Sequence, residues 1–223
     1  VSASEYDLEH LAQKAVAEHL GMVRTEATAV EANRALVALY QDLAAILLEK
    51  LPPDRPFACK AGCSFCCSAL VALSPLEAIA LARHVAAHPD LAQRLREAAK
   101  RRPPQDVAGW WRARLVCPFL EKKSCAVYDQ RPLSCRAVLS PSRTSCESHW
   151  KHRERERELR TYHPTVEARR KIGFGVREGL QALGLDGADL ALVPALAMIL
   201  DDPGLVVRFL AGEPVFTPAR AGE

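Results

Sequence analysis

Four cysteines stand within nine residues, Cys59-x3-Cys63-x2-Cys66-Cys67, and four more, Cys117, Cys125, Cys135 and Cys146, follow across thirty. Nothing else in the 223-residue chain restricts its folding as much, because clustered thiols must end as disulfides, buried apolar groups or metal thiolates. Disulfides are disfavoured, since the chain reads as cytoplasmic and is long enough to build a core without covalent staples. Single cysteines pack readily as small hydrophobes, but three of the first four share a short turn with Lys60, Gly62 and Ser64. Metal binding accounts for the clustering directly: short spacings let several thiolates converge while Gly62 relaxes the turn between them.

The adjacent pair limits how they converge. Neighbouring side chains diverge by about 100° in a helix and about 180° in a strand, so Cys66 and Cys67 are not expected to be equal ligands of one metal. Either they serve two nearby centres, or one ligates while the other packs or stands as a reactive thiol. Eight thiols suffice for two four-thiolate sites, whereas one site with spare thiols requires less, and the count leaves both open. The Cys59, Cys63, Cys66 spacing, with Phe65 before the third thiol, also matches radical S-adenosylmethionine enzymes. Those enzymes place it after a barrel strand within alternating β/α units, while here it lies between helical segments. What survives is that three thiolates so spaced can hold a 4Fe–4S cluster, with the fourth ligand from elsewhere.

With 49% hydrophobic and 26% charged residues, the chain can bury a real core as a single domain over 1–223. Its organisation reads as N-terminal helices over 1–56, a cysteine cluster region over 57–147 and C-terminal helices over 148–223. A net charge of +3 argues for neither nucleic acid nor membrane as partner. The most apolar stretch, Leu190 to Leu200, contains Pro194 and falls well short of the ~20 residues that span a bilayer. Glu5, Asp7, Glu9, Lys14 and Glu18 occupy the place where a signal peptide would be apolar, so a cytoplasmic location is expected.

The periodicity predicts a mostly α fold, a helical bundle with a small cysteine-rich metal-binding insert containing a short β-hairpin. Helices are expected from a Ser4 cap to Leu20, over about 28–50 before Pro52 and Pro53, and from the Ser74 cap to about His88. The sequence Ser74-Pro75-Leu76-Glu77 combines a capping Ser, Pro at the first helical position and Glu three residues after the cap. A fourth helix ends at the surface linker 100–104, and the hairpin is expected within 114–128 around Glu121-Lys122-Lys123-Ser124. Further helices follow over about 147–162, 164–183, 189–200 and 203–211. The alternating charges of 151–158 read as a solvated helix face.

The second cysteine segment carries Cys117-Pro118-Phe119-Leu120 and then Cys125-Ala126-Val127-Tyr128-Asp129-Gln130-Arg131-Pro132-Leu133-Ser134-Cys135-Arg136. Together with the first cluster and Leu73-Ser74-Pro75-Leu76-Glu77, these blocks resemble the CxxCxxCC family of zinc- or iron-chelating proteins. It is also called the YkgJ-type cysteine cluster family and includes the flagellin N-methylase. The resemblance spans about 57–147. It implies metal binding by Cys59, Cys63, Cys66, Cys67, Cys117, Cys125, Cys135 and Cys146, and it marks Tyr128, Arg131, Pro132 and Arg136 in the second block. Four thiolates on zinc or on a 4Fe–4S cluster leave negative charge, which Arg131 and Arg136 would offset. Surface salt bridges or helix-end contacts are their other reading.

His149 and His152 could extend Cys146 into a Cys-x2-His pair, although a solvated face is the commoner place for such histidines. Trp110 and Trp111 are expected to cover the cluster region or the core. The function expected is therefore a metal-binding protein holding an iron–sulfur cluster, 4Fe–4S favoured, or zinc, with a protein or small-molecule partner that the sequence does not name. The alternatives are a metal-dependent enzyme, such as a protein-lysine N-methyltransferase resembling flagellin N-methylase or an iron-dependent oxidative enzyme, and an electron-transfer module.

Overall fold

Asp7 begins the first helix, α1 (Leu8–Leu20), by accepting the N–H of His10 at 3.1 Å. The computed structural model describes residues 7–60, 62–152 and 159–222, so the cap expected at Ser4 lies outside the described residues. Thr25 and Thr28 cap α2 (Glu26–Lys50) reciprocally, and Ala29, Ala32, Leu36 and Tyr40 form its buried stripe. The chain then passes through the first cysteine block into β1 (Ala72–Leu73). Next come α3 (Pro75–Ala86), opened by the expected Ser74/Glu77 capping box, and α4 (Pro89–Lys100). Two short helices escaped the periodicity reading, α5 (Val107–Arg112) and α6 (Leu133–Ala137). Neither is long enough to show a 3.6-residue repeat.

Between them the expected hairpin is present in reduced form. β2 (Leu120–Glu121) and β3 (Ser124–Cys125) pair antiparallel with Leu120 opposite Cys125. Lys122 and Lys123 both take positive φ, 47° and 65°, the backbone hand that suits a two-residue hairpin turn. The helix expected over 147–162 instead runs as α7 (Arg143–Lys151), capped by Ser142. Residues 153–158, and with them most of the proposed solvated charge face, lie outside the described residues. Residues 159–162 are not helical, because their backbone bonds elsewhere: Tyr162 N–H donates to Leu139 O at 2.7 Å, and Arg160 O accepts Ser140 Oγ–H at 2.6 Å.

The C-terminal part contains α8 (His163–Ala182), β4 (Leu190–Ala191), α9 (Leu192–Asp201) and α10 (Leu205–Leu210). β4 pairs with β1, Ala72 opposite Ala191, and so ties the exit of the first cysteine block to the C-terminal helices. The fold is mostly helical, as expected, with two small two-stranded sheets among the described residues. α1 and α8 pack face to face, and Gly175 makes this possible, since a Cβ there would collide with Glu9 O. Leu76 and Ile79 on α3, Ile172 and Leu180 on α8 and Leu196 on α9 share one core with the α1 and α2 stripes. Each such side chain contributes roughly 1.5–3 kcal/mol by burial. No helix among the described residues is long and apolar enough to cross a membrane.

Candidate metal centre

The cysteines sit on the irregular side of this helical frame, on short segments held by backbone bonds. Ala58 N–H donates to Ser140 O at 2.8 Å, and Ser140 N–H points at Cys59 Sγ, 3.4 Å away. Cys63 N–H closes a turn onto Lys60 O at 3.0 Å, and Gly62 inside it takes φ +84°, the freedom expected of that glycine. A 3₁₀ turn over Phe65–Ser68 then carries Cys66 and Cys67. Trp110 is buried and its indole N–H donates to Ser68 O at 3.0 Å, so this tryptophan does secure the first block.

The second block is bonded to the first. Cys117 N–H donates to Cys67 O at 2.7 Å, Cys125 lies on β3, and Cys135 lies on α6. Buried Glu77 connects that helix to α3: one carboxylate oxygen accepts Leu133 N–H at 2.7 Å while the other accepts Ser74 N–H at 2.7 Å. Cys146 is on α7, which lies against the 3₁₀ turn through the Phe65 and Trp150 rings, 6.3 Å apart, with the Arg143 guanidinium 5.5 Å from the Phe65 ring centre. His149 is not on a freely solvated face: it is half-buried, with its ring edge-on to Trp111 at 5.1 Å. His152 is exposed.

Burial pushes the thiols of Cys117 and Cys135 up to about 12. Neighbouring charge adds to this, from Cys135, Cys125 and Cys66 at Cys117, and from Cys66, Cys125 and Glu77 at Cys135, where Arg131 opposes it. The Cys66 thiol is raised first by its hydrogen bond with Cys67 and then by desolvation. The adjacent pair therefore does not diverge as in an extended strand. Cys146 is raised by burial, with Ser140 opposing and with Cys59, Cys63 and Cys66 adding to the shift.

Arg131 stacks over the Tyr128 ring, 3.6 Å from its centre, and its Nε–H donates to Tyr128 O at 3.0 Å. Arg136 Nε–H donates to Arg131 O at 2.7 Å. Both guanidinium groups thus clamp the 128–131 turn, while the Arg131 charge still reaches Cys66 and Cys135. Tyr128 is 59% exposed and forms the platform of the stack.

All eight cysteines are free thiols, which makes them a soft donor set suited to zinc or iron. Among the described residues, no three His, Cys, Asp or Glu side chains already converge closely enough to hold an ion. The thiols are gathered but not closed. Closing them onto a metal would remove their protons, and the metal's positive charge would offset the thiolate charge so created. Two contributors were missed by sequence reasoning. Glu77 was legible as a helix cap, but its second bond to Leu133 joins residues far apart in the chain, and Ser140 has no local signal at all.

Residues 58–162 match the model of the CxxCxxCC family, described as "Putative zinc- or iron-chelating domain". The match begins beside Cys59 and reaches Tyr162, past the 57–147 span of the resemblance, to the residue before α8. Neither a curated protein nor a solved structure matches the chain. All eight cysteines lie inside the matched segment, so it is the cysteine-rich part of this chain, residues 58–162, that is similar to the CxxCxxCC family.

Proposed function

We propose that this protein binds metal through Cys59, Cys63, Cys66, Cys67, Cys117, Cys125, Cys135 and Cys146, with a 4Fe–4S cluster as the favoured occupant and zinc as the other. The observation that carries this reading is the bond from Cys117 N–H to Cys67 O, which brings two cysteine blocks fifty residues apart together around free thiols. Arg131 supports it by setting positive charge where thiolates would accumulate. A cluster would supply one-electron chemistry, whereas zinc would supply a redox-inert tie. Eight reduced thiols suit a cytoplasmic setting, and the core shared by the flanking helices supports one domain over 1–223.

The test is iron, zinc and sulfide analysis with an optical spectrum on protein purified without oxygen or chelator. Iron with equal sulfide and brown absorbance supports the cluster. Zinc without sulfide supports the structural tie, and a metal-free chain overturns the proposal.

A further inference from the structure

Outside the cysteine region, two imidazoles meet where α3 passes into α4. His84 stands on the last turn of α3 and is half-buried, while His88 is exposed and occupies the position just before α4. The junction between them is tight: Ala87 N–H donates to His84 O at 3.2 Å, His88 N–H donates to Val85 O at 3.0 Å, and Pro89 starts α4 at once. The two rings stack across it, with centres 4.4 Å apart and planes 34° from parallel. His88 Nδ1–H donates to His84 O at 2.8 Å. A carbonyl oxygen can only accept, so the proton sits on Nδ1 and the neutral His88 ring carries its lone pair on Nε2. Burial, and then the nearby His88, hold His84 below the ordinary imidazole value, which keeps a lone pair available on that ring as well.

We propose that His84 and His88 together bind a divalent transition ion of the zinc, nickel and copper class, at a site separate from the cysteines. Imidazole nitrogen suits these ions. Zinc lies ~2.0–2.1 Å from such a nitrogen, which puts each ring centre roughly 3.2 Å from the ion, so two rings on one ion stand about 4.5 Å apart at a right angle and about 5.2 Å apart at the tetrahedral angle. The observed pair is already spaced for the first arrangement. The bond from Nδ1–H to a backbone carbonyl is the support that metal-binding histidines ordinarily have, since it fixes the ring and leaves the other nitrogen for the ion. Among the described residues, no third His, Cys, Asp or Glu side chain joins the pair. Water therefore completes the coordination, and the site is an open one from which the ion exchanges.

The test uses the full chain, reduced, labelled with nitrogen-15 in its histidines and titrated anaerobically with zinc(II), with the ring nitrogens followed by NMR. Uptake by the thiols is read separately, from their protection against alkylation. The Nε2 resonances of His84 and His88 should shift together, at lower zinc than those of His10 and His19 on α1, which serve as single-histidine controls. His88→Gln should weaken the His84 response at least tenfold, and His84→Gln should do the same to His88, with helical circular dichroism verifying the fold. Since His88 is exposed, the His88→Gln chain decides the matter even if His84→Gln fails to fold. A response at one ring that survives loss of the other overturns the proposal, as does a pair that shifts only where the controls shift; the rings are then a stack without a ligand. A paired histidine response without thiol protection supports this site and counts against the cysteine reading alone.

Discussion

The carboxylate of Glu77 accepts the backbone N–H of Leu133 at 2.7 Å across fifty-six positions of sequence, so the start of α3 and the start of the helix bearing Cys135 are one hydrogen-bonded unit. Glu77 is only 8% exposed, and loss of its carboxylate would strand buried donors at both ends. Glu77→Ala should therefore cost about 2–4 kcal/mol in thermal or denaturant unfolding and weaken metal retention in a competition assay. Glu77→Gln keeps an acceptor and should cost roughly half as much.

Arg131 is expected to act on charge rather than on folding. Arg131→Ala should weaken metal affinity by about tenfold or more, within the usual range for residues that support metal ligands, as measured against a colorimetric chelator. Arg131→Lys should recover part of the loss, because the charge stays while the stacking on Tyr128 goes.

The raised thiols give the metal-free protein a signed pH dependence. Cys117 and Cys135 move from an ordinary value of 9.0 up to about 12 in the folded state. Between those values the unfolded chain has released protons that the folded chain still holds. Stability should therefore be fully present below about pH 9 and fall as pH rises toward 12. Metal-loaded protein should show the opposite sensitivity and lose its metal as acid returns protons to sulfur. Unfolding curves of both forms across this range check the prediction.

Gly175 supplies the contrast. Gly175→Ala would drive a methyl group into the Glu9 carbonyl and should destabilise the α1–α8 pair by about 1–3 kcal/mol. Metal stoichiometry should not change, because the cysteines lie elsewhere. Calorimetry together with metal analysis on the same sample would show the two effects separating.

The helical frame was legible because α2, α3 and α8 carry apolar stripes, and because α3 opens on a clear cap at Ser74 and Glu77. The hairpin was legible from its polar Lys122-Lys123 turn. The site was legible in composition and less so in geometry. Spacing identified the thiols, but their grouping depends on Ser140 meeting Cys59 and on Glu77 meeting Leu133, contacts between distant residues that leave no periodic trace. Helix α6 and the β1–β4 pairing were missed for the same reason, being short and held by partners outside the local window. The helix expected through Tyr162 failed because residues 159–162 bond laterally to 139–140.

The bond from Cys117 N–H to Cys67 O has a kinetic meaning as well. Closing a flexible loop of fifty residues carries an entropy cost of roughly 3 kcal/mol, and in a chain without this bond an arriving ion would have to overcome it. Here the loop is closed by folding itself. Loading should therefore proceed as a local tightening of side chains and short turns, with a rate set by ligand exchange rather than by a search of the chain.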